Sequence, residues 1–128
     1  MTLEQLRAWL DEYGRAWEAR NPDGFLHLFA SDAVYAWGPF VEPLVGHDEI
    51  GARLRAALAE QDEARFGHEP LAVTPEGRGL SRWWASIRTE ERGVLEENEG
   101  VFLVALGPDR RCTEFQEWWS TRSSTLGS

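Results

Sequence analysis

The sequence predicts an α+β domain with helices packed on one face of a curved, mainly antiparallel sheet, and three observations lead there. Helical periodicity is confined to the segment from Thr2 to about Gln61. From Glu69 the period becomes that of strands, and three turn signals divide the remainder into four stretches. A chain of 128 residues suits one compact domain and leaves no room for a second.

Thr2-Leu3-Glu4-Gln5 matches a capping box, and Leu3, Leu6, Leu10, Tyr13 and Trp17 then recur at helical spacing, which predicts a first helix. Asn21-Pro22-Asp23-Gly24 breaks it. With Asn21 as cap and Pro22 in the first position, a short second helix carries Phe25, Leu28 and Phe29 inward. Ala33-Val34-Tyr35-Ala36-Trp37 is short, aromatic and β-prone, and Gly38-Pro39 ends it as a strand. A third helix opens at His47 or Asp48, with Ile50, Leu54, Ala57 and Leu58 on its apolar stripe. The turns Thr74-Pro75-Glu76-Gly77, Glu91-Arg92-Gly93 and Gly107-Pro108-Asp109-Arg110 then fold the rest into a meander. The domain is expected to occupy residues 1–121, with 122–128 a disordered Ser/Thr/Gly-rich tail.

Composition removes several function classes. The net charge is −9 and the arginines are scattered, so no stripe exists to neutralise phosphates and no nucleic-acid partner is expected. All 13 basic residues are arginine; without lysine neither Schiff-base chemistry nor a Walker A loop is available. The longest apolar runs, such as Gly100 to Leu106, are far too short to span a bilayer, and no leader opens the chain, so no membrane association and a cytoplasmic location are expected. The histidines His27, His47 and His68 are widely separated and form no ligand spacing, and Glu96 lies on the opposite strand face from Glu97 and Glu99. Neither a metal nor a cofactor is expected.

Strand alternation sorts the side chains by face. Between Leu80 and Thr89, Trp83, Ala85 and Ile87 share the uncharged side, while Arg82, Trp84 and Arg88 share the other. In the last strand Phe115, Glu117 and Trp119 alternate with Glu114, Gln116 and Trp118, and the Phe115 side is placed inward. The strand around Phe102 is apolar on both faces, so its outer residues Val101, Leu103 and Ala105 need a cover. A second subunit is the simplest one, which assigns Trp84, Val101, Leu103, Cys112 and Trp118 to a homodimer interface.

The order helix, helix, strand, Pro/Gly loop, helix and meander resembles the nuclear transport factor 2 superfamily, which includes ketosteroid isomerases and SnoaL-like cyclases. The carriers of the likeness are Asn21 to Val34, Pro43 to Ile50, and Glu114-Phe115-Gln116-Glu117-Trp118-Trp119. The resemblance implies a cone-like (cystatin-like) roll whose helices and concave sheet face enclose a pocket, and whose outer sheet surfaces often pair. It puts Tyr13 at the position of the isomerases' oxyanion-stabilising tyrosine. It also puts Trp37 where they keep the general-base aspartate, and Phe102 where they keep the protonated acid. Neither side chain can take a proton from carbon, which disfavours the usual isomerisation route.

On this fold the pocket would be formed by Tyr13, Trp17, Tyr35, Trp37, Trp83, Phe102, Phe115 and Trp119, a lining suited to a flat apolar or aromatic ligand. The same side chains could equally interdigitate into a filled core. Glu117 shares their face; desolvation there would raise its pKa and make it an acid or base with Tyr13, unless an arginine or solvent claims it. The leading expectation is a small-molecule-binding pocket protein. The alternatives are a cofactor-independent cyclase, hydratase or isomerase acting on an apolar polycyclic or terpenoid-like substrate, and a protein-interaction module.

Overall fold

Helix α1 (Leu3–Glu18) begins at the Thr2 capping box: Thr2 Oγ1 accepts from the Gln5 amide at 3.1 Å, and Gln5 Oε1 accepts from the Thr2 amide at 2.9 Å. In this computed structural model, which describes residues 1–127, α1 buries Leu6, Trp9, Leu10 and Tyr13 against the sheet. Trp9 was not read from the sequence as a core residue. It lies on the stripe of Leu6, Leu10 and Tyr13, and its Nε1 donates to the Leu28 carbonyl at 3.2 Å, whereas Leu3 stays exposed in the first turn. Helix α2 (Pro22–His27) starts at the Asn21 cap with Pro22 in its first turn.

Strand β1 (Phe29–Ala36) starts earlier than its propensity indicates, because Phe29 and Ala33 are drawn into the core. A two-residue strand β2 (Leu44–Val45) pairs with it, too short to leave a sequence signal. Gly46, at φ 85, takes the left-handed conformation needed to turn directly into α3 (Gly46–Ala59). The meander is β3 (Glu63–Val73), β4 (Gly79–Thr89), β5 (Val94–Leu106) and β6 (Cys112–Thr125), joined at the three predicted turns. The sheet order is β2-β1-β6-β5-β4-β3, antiparallel except where β1 runs parallel to β6. The helices cover one face, as predicted, and none of them is long and apolar enough to cross a membrane.

Two expectations are corrected. Residues 122 to 125 do not fray: they continue the β6 ladder, Arg122 opposite Glu97 and Thr125 opposite Val94, because β5 is long enough to template them. Ser128, the last residue of the expected tail, lies outside the described residues. Cys112 is not on the outer face. The ladder shifts register between Ala105 and Leu106, leaving Thr113 as the extra residue, and this bulge returns Cys112 to the inner side opposite Leu106. There it is 0% exposed, and burial pushes its thiol pKa far up, so it is an inert core residue.

Candidate functional site

The inner face of β4, β5 and β6 is built in two layers. Phe102 and Phe115, both 0% exposed, form the lower one with their rings 4.6 Å apart. Trp83 stacks on Phe102 at 4.8 Å with an interplanar angle of 8°. Tyr13 and Tyr35 both lie near-parallel to Phe115, at 5.5 and 4.9 Å. Phe102 and Phe115, predicted to line a pocket, thus sit beneath its wall and set the orientation of the rings that do line it.

Above this layer a cavity of about 240 Å³ opens between α1, α3 and the sheet. Its walls include Tyr13, Trp17, Tyr35, Trp37, Trp83 and Trp119, six of the eight aromatic residues that strand and helix periodicity placed there. Glu117 is among them. Trp119, at 40% exposure, marks the mouth. The sequence reading did not single out Arg53, Gln61 or Asn98, which also line the cavity. Asn98 was legible in principle, since it shares the alternation of Phe102. Arg53 lies beside the Ile50–Leu54 stripe of α3, where a charged residue ordinarily reads as solvated surface.

Polar atoms in this wall are unevenly served. Trp17 Nε1 donates to Gln61 Oε1 at 2.8 Å, and Thr121 Oγ1 donates to Asn98 Oδ1 at 2.6 Å. The indole N–H groups of Trp37 and Trp83 are buried with no acceptor among the described residues. Such orphans are rare in folded proteins and call for a specific explanation.

Glu117 faces the cavity from β6, directly across the ladder from Phe102. It is partly buried in the cavity wall, and burial lifts its pKa to about 8, against the opposing pull of a Tyr35 hydrogen bond and the positive charge of Arg53. The Tyr35 hydroxyl is bonded to both Glu117 and Tyr13. Donation of the Tyr35 phenol proton to the ionised carboxylate is what opposes the rise in the Glu117 pKa. Burial, and then the nearby charge of Glu117, push both phenols well above their ordinary pKa. The result is a carboxyl that is largely protonated at neutral pH, backed by two phenols that stay neutral.

Arg53 holds the mouth. Its guanidinium carbon lies 4.3 Å from the Trp37 ring centroid, a cation–π contact that fixes an otherwise mobile side chain. His47, in the first turn of α3, is bonded through Nε2 to the Phe29 carbonyl at 2.8 Å and joins α3 to β1.

A helical layer on a curved sheet with an enclosed aromatic cavity defines the class to which the chain belongs. Residues 6–115 match the sequence model of the SnoaL-like domain, and the chain is a member of that family within the nuclear transport factor 2-like superfamily. No curated protein sequence matches it significantly. Among solved structures it is similar to RV0760c from Mycobacterium tuberculosis, with TM-score 0.83 and 16% identity over 97% of this chain and 99% of the other. It is also similar to a Delta 5-3-ketosteroid isomerase from Mycobacterium sp., with TM-score 0.80 and 14% identity over 94% and 98% of the two chains. The epoxide hydrolase/cyclase-like enzyme SalBIII superposes with TM-score 0.78 at 12% identity, covering 89% of each chain. At such identities the likeness establishes the fold alone.

Proposed function

We propose that this cavity binds a small, mostly apolar organic molecule and that Glu117 exchanges a proton with it without a cofactor. The carrying observation is a carboxyl buried among aromatic rings, with a pKa of about 8 and a hydrogen bond to Tyr35, that has no ion pair within 4.0 Å among the described residues. A general acid or base works best when its pKa lies near the operating pH. Two similar folds are a named isomerase and a cyclase-like enzyme, which supports chemistry in this kind of pocket. The isomerases' acid position, read as Phe102, has Glu117 as its cross-strand neighbour, so a protonated carboxyl is available one strand over. The base position remains Trp37, and Glu117 must therefore serve in both directions or act as an acid only.

The test is Glu117→Gln, an isosteric change that keeps the Tyr35 contact but cannot titrate. Compounds would first be selected by thermal shift and then followed for conversion by mass spectrometry. Retained binding with conversion reduced at least about a hundredfold supports the assignment; equal conversion by both proteins refutes it.

The outer sheet face supports a homodimer. Trp84 and Trp118 are 39% and 38% exposed, and Val101 pairs with Trp118 across the ladder. Trp84 packs against Gly67, where any Cβ would clash with its indole, and the Arg82 guanidinium lies over its ring at 4.8 Å from the centroid. The interface we propose comprises Trp84, Val101, Leu103 and Trp118, without Cys112. Trp118→Glu should convert a dimer to a monomer by sedimentation velocity; a wild-type monomer at high micromolar concentration contradicts the proposal.

A further inference from the structure

The cavity wall offers donors and has few acceptors left. Gln61 Oε1 and Asn98 Oδ1 are each occupied by a neighbour, and Glu117 is engaged by Tyr35. Glu96, the other carboxylate of the wall, is ion-paired with Arg92 at 3.3 Å. On the donor side stand the Trp37 and Trp83 indole N–H groups, both buried and unpartnered, with Trp83 only 3% exposed. With them stands Arg53, which makes no ion pair within 4.0 Å among the described residues, although Arg55 on the same helix pairs with Asp23. Arg53 is held at the mouth by Trp37 with its fork of N–H donors uncommitted to a carboxylate.

Size narrows the occupant. At about 240 Å³ the cavity lies below the range of roughly 300–1,000 Å³ usual for pockets that take drug-sized ligands. That size favours a compact molecule such as one ring with a short side chain.

We infer that the cavity takes a single-ring organic acid, its carboxylate bound by the Arg53 guanidinium at the mouth and its ring lying among Trp17, Trp37 and Trp83. The inference rests on the proposed binding function and names its ligand class. Guanidinium and carboxylate match as a bidentate pair, which few other anion–cation contacts do. The chain's net charge of −9 does not forbid an anion, because exposed charges beyond roughly 8 Å are largely screened at physiological salt, whereas the Arg53 contact is direct. Binding also has a chemical consequence. A carboxylate on Arg53 neutralises the positive charge that helps Glu117 to ionise, so the bound acid would keep Glu117 in its proton-donating form.

The test compares trans-cinnamate with trans-cinnamamide, equal in shape and differing in charge, by tryptophan fluorescence titration and calorimetry. The wild-type protein should prefer the acid by about tenfold. Arg53→Gln should abolish that preference by weakening the acid more than the amide, and Arg53→Lys should restore only part of it. Because Arg53 is exposed, the variant fold is expected to survive, and circular dichroism checks this. Equal affinity for acid and amide, or a preference that survives Arg53→Gln, overturns the inference while leaving the pocket assignment standing. Failure of both compounds to bind the wild-type protein overturns the inference and counts against the proposed function as well.

Discussion

The two faces of the β4-β5-β6 sheet treat the same side chain in opposite ways. On the outer face Glu97 receives two hydrogen bonds from Arg122, at 3.1 and 3.0 Å, and these hold its carboxyl below the usual range in an exposed setting. On the inner face, one strand away, Glu117 has no such partner and is lifted to about 8. Glu99 repeats the outer pattern with Arg82, at 2.9 and 2.6 Å. The difference teaches that alternation does more than divide apolar from polar. It decides which of several glutamates is a solvated ion and which is a titratable acid at neutral pH. The outer face also carries a shallow depression larger than the inner cavity, lined by Arg65, Arg82, Arg122, Glu97 and Glu99. Size alone does not make it the site, because most of its charged groups already satisfy one another.

Changes on the inner face should therefore cost far more than changes on the outer one. The largest effect is expected for Phe115→Ala, which removes a fully buried ring that touches Tyr13, Tyr35 and Phe102. Denaturant titration should show a loss of about 3–5 kcal/mol. A loss below about 1 kcal/mol would mean that the aromatic layer is not the core described.

Glu117→Gln should go the other way. The unfolded carboxyl titrates near its ordinary 4.5 and the folded one near 8, so between these pH values the folded chain keeps a proton that the unfolded chain has released. The contribution of Glu117 to stability thus falls as pH rises from about 4.5 to about 8 and is constant above. The full shift corresponds to an upper bound of roughly 5 kcal/mol. Gln cannot ionise, so the variant should be more stable than wild type at pH 8, by a few kcal/mol, with the gap closing toward pH 4.5. Melting curves across that range test the sign. The smallest effect is expected for Arg122→Gln: an exposed pair, however well aligned, contributes little against solvent and salt, and high salt should erase the difference.

Much of this contrast was legible in the sequence, because period-two alternation on β4 and β6 sorts Trp83 from Trp84 and Glu117 from Trp118 without any knowledge of the fold. The three helices and three turns followed from caps, spacing and Gly/Pro signals for the same reason: each is a local effect. Cys112 was misplaced because a bulge adds one residue and inverts every face beyond it, and nothing local to Thr113 announces one. The extension of β6 to Thr125 escaped notice because Ser and Thr there are paired by the length of β5, not by their own preference. Arg53 and the Tyr13–Tyr35–Glu117 chain join four separate elements, α1, β1, α3 and β6, and only tertiary packing brings them together.

The central claim is that Glu117 is a neutral acid at physiological pH, made so by burial in an aromatic cavity. A pH titration of its side-chain carboxyl carbon by NMR, assigned by comparison with Glu117→Gln, measures this directly. The structure predicts a midpoint near 8, moving upward in Arg53→Gln as the stabilising positive charge is lost. A midpoint near the ordinary value of 4.5, unchanged in that variant, would show that the carboxyl is hydrated and would contradict the account.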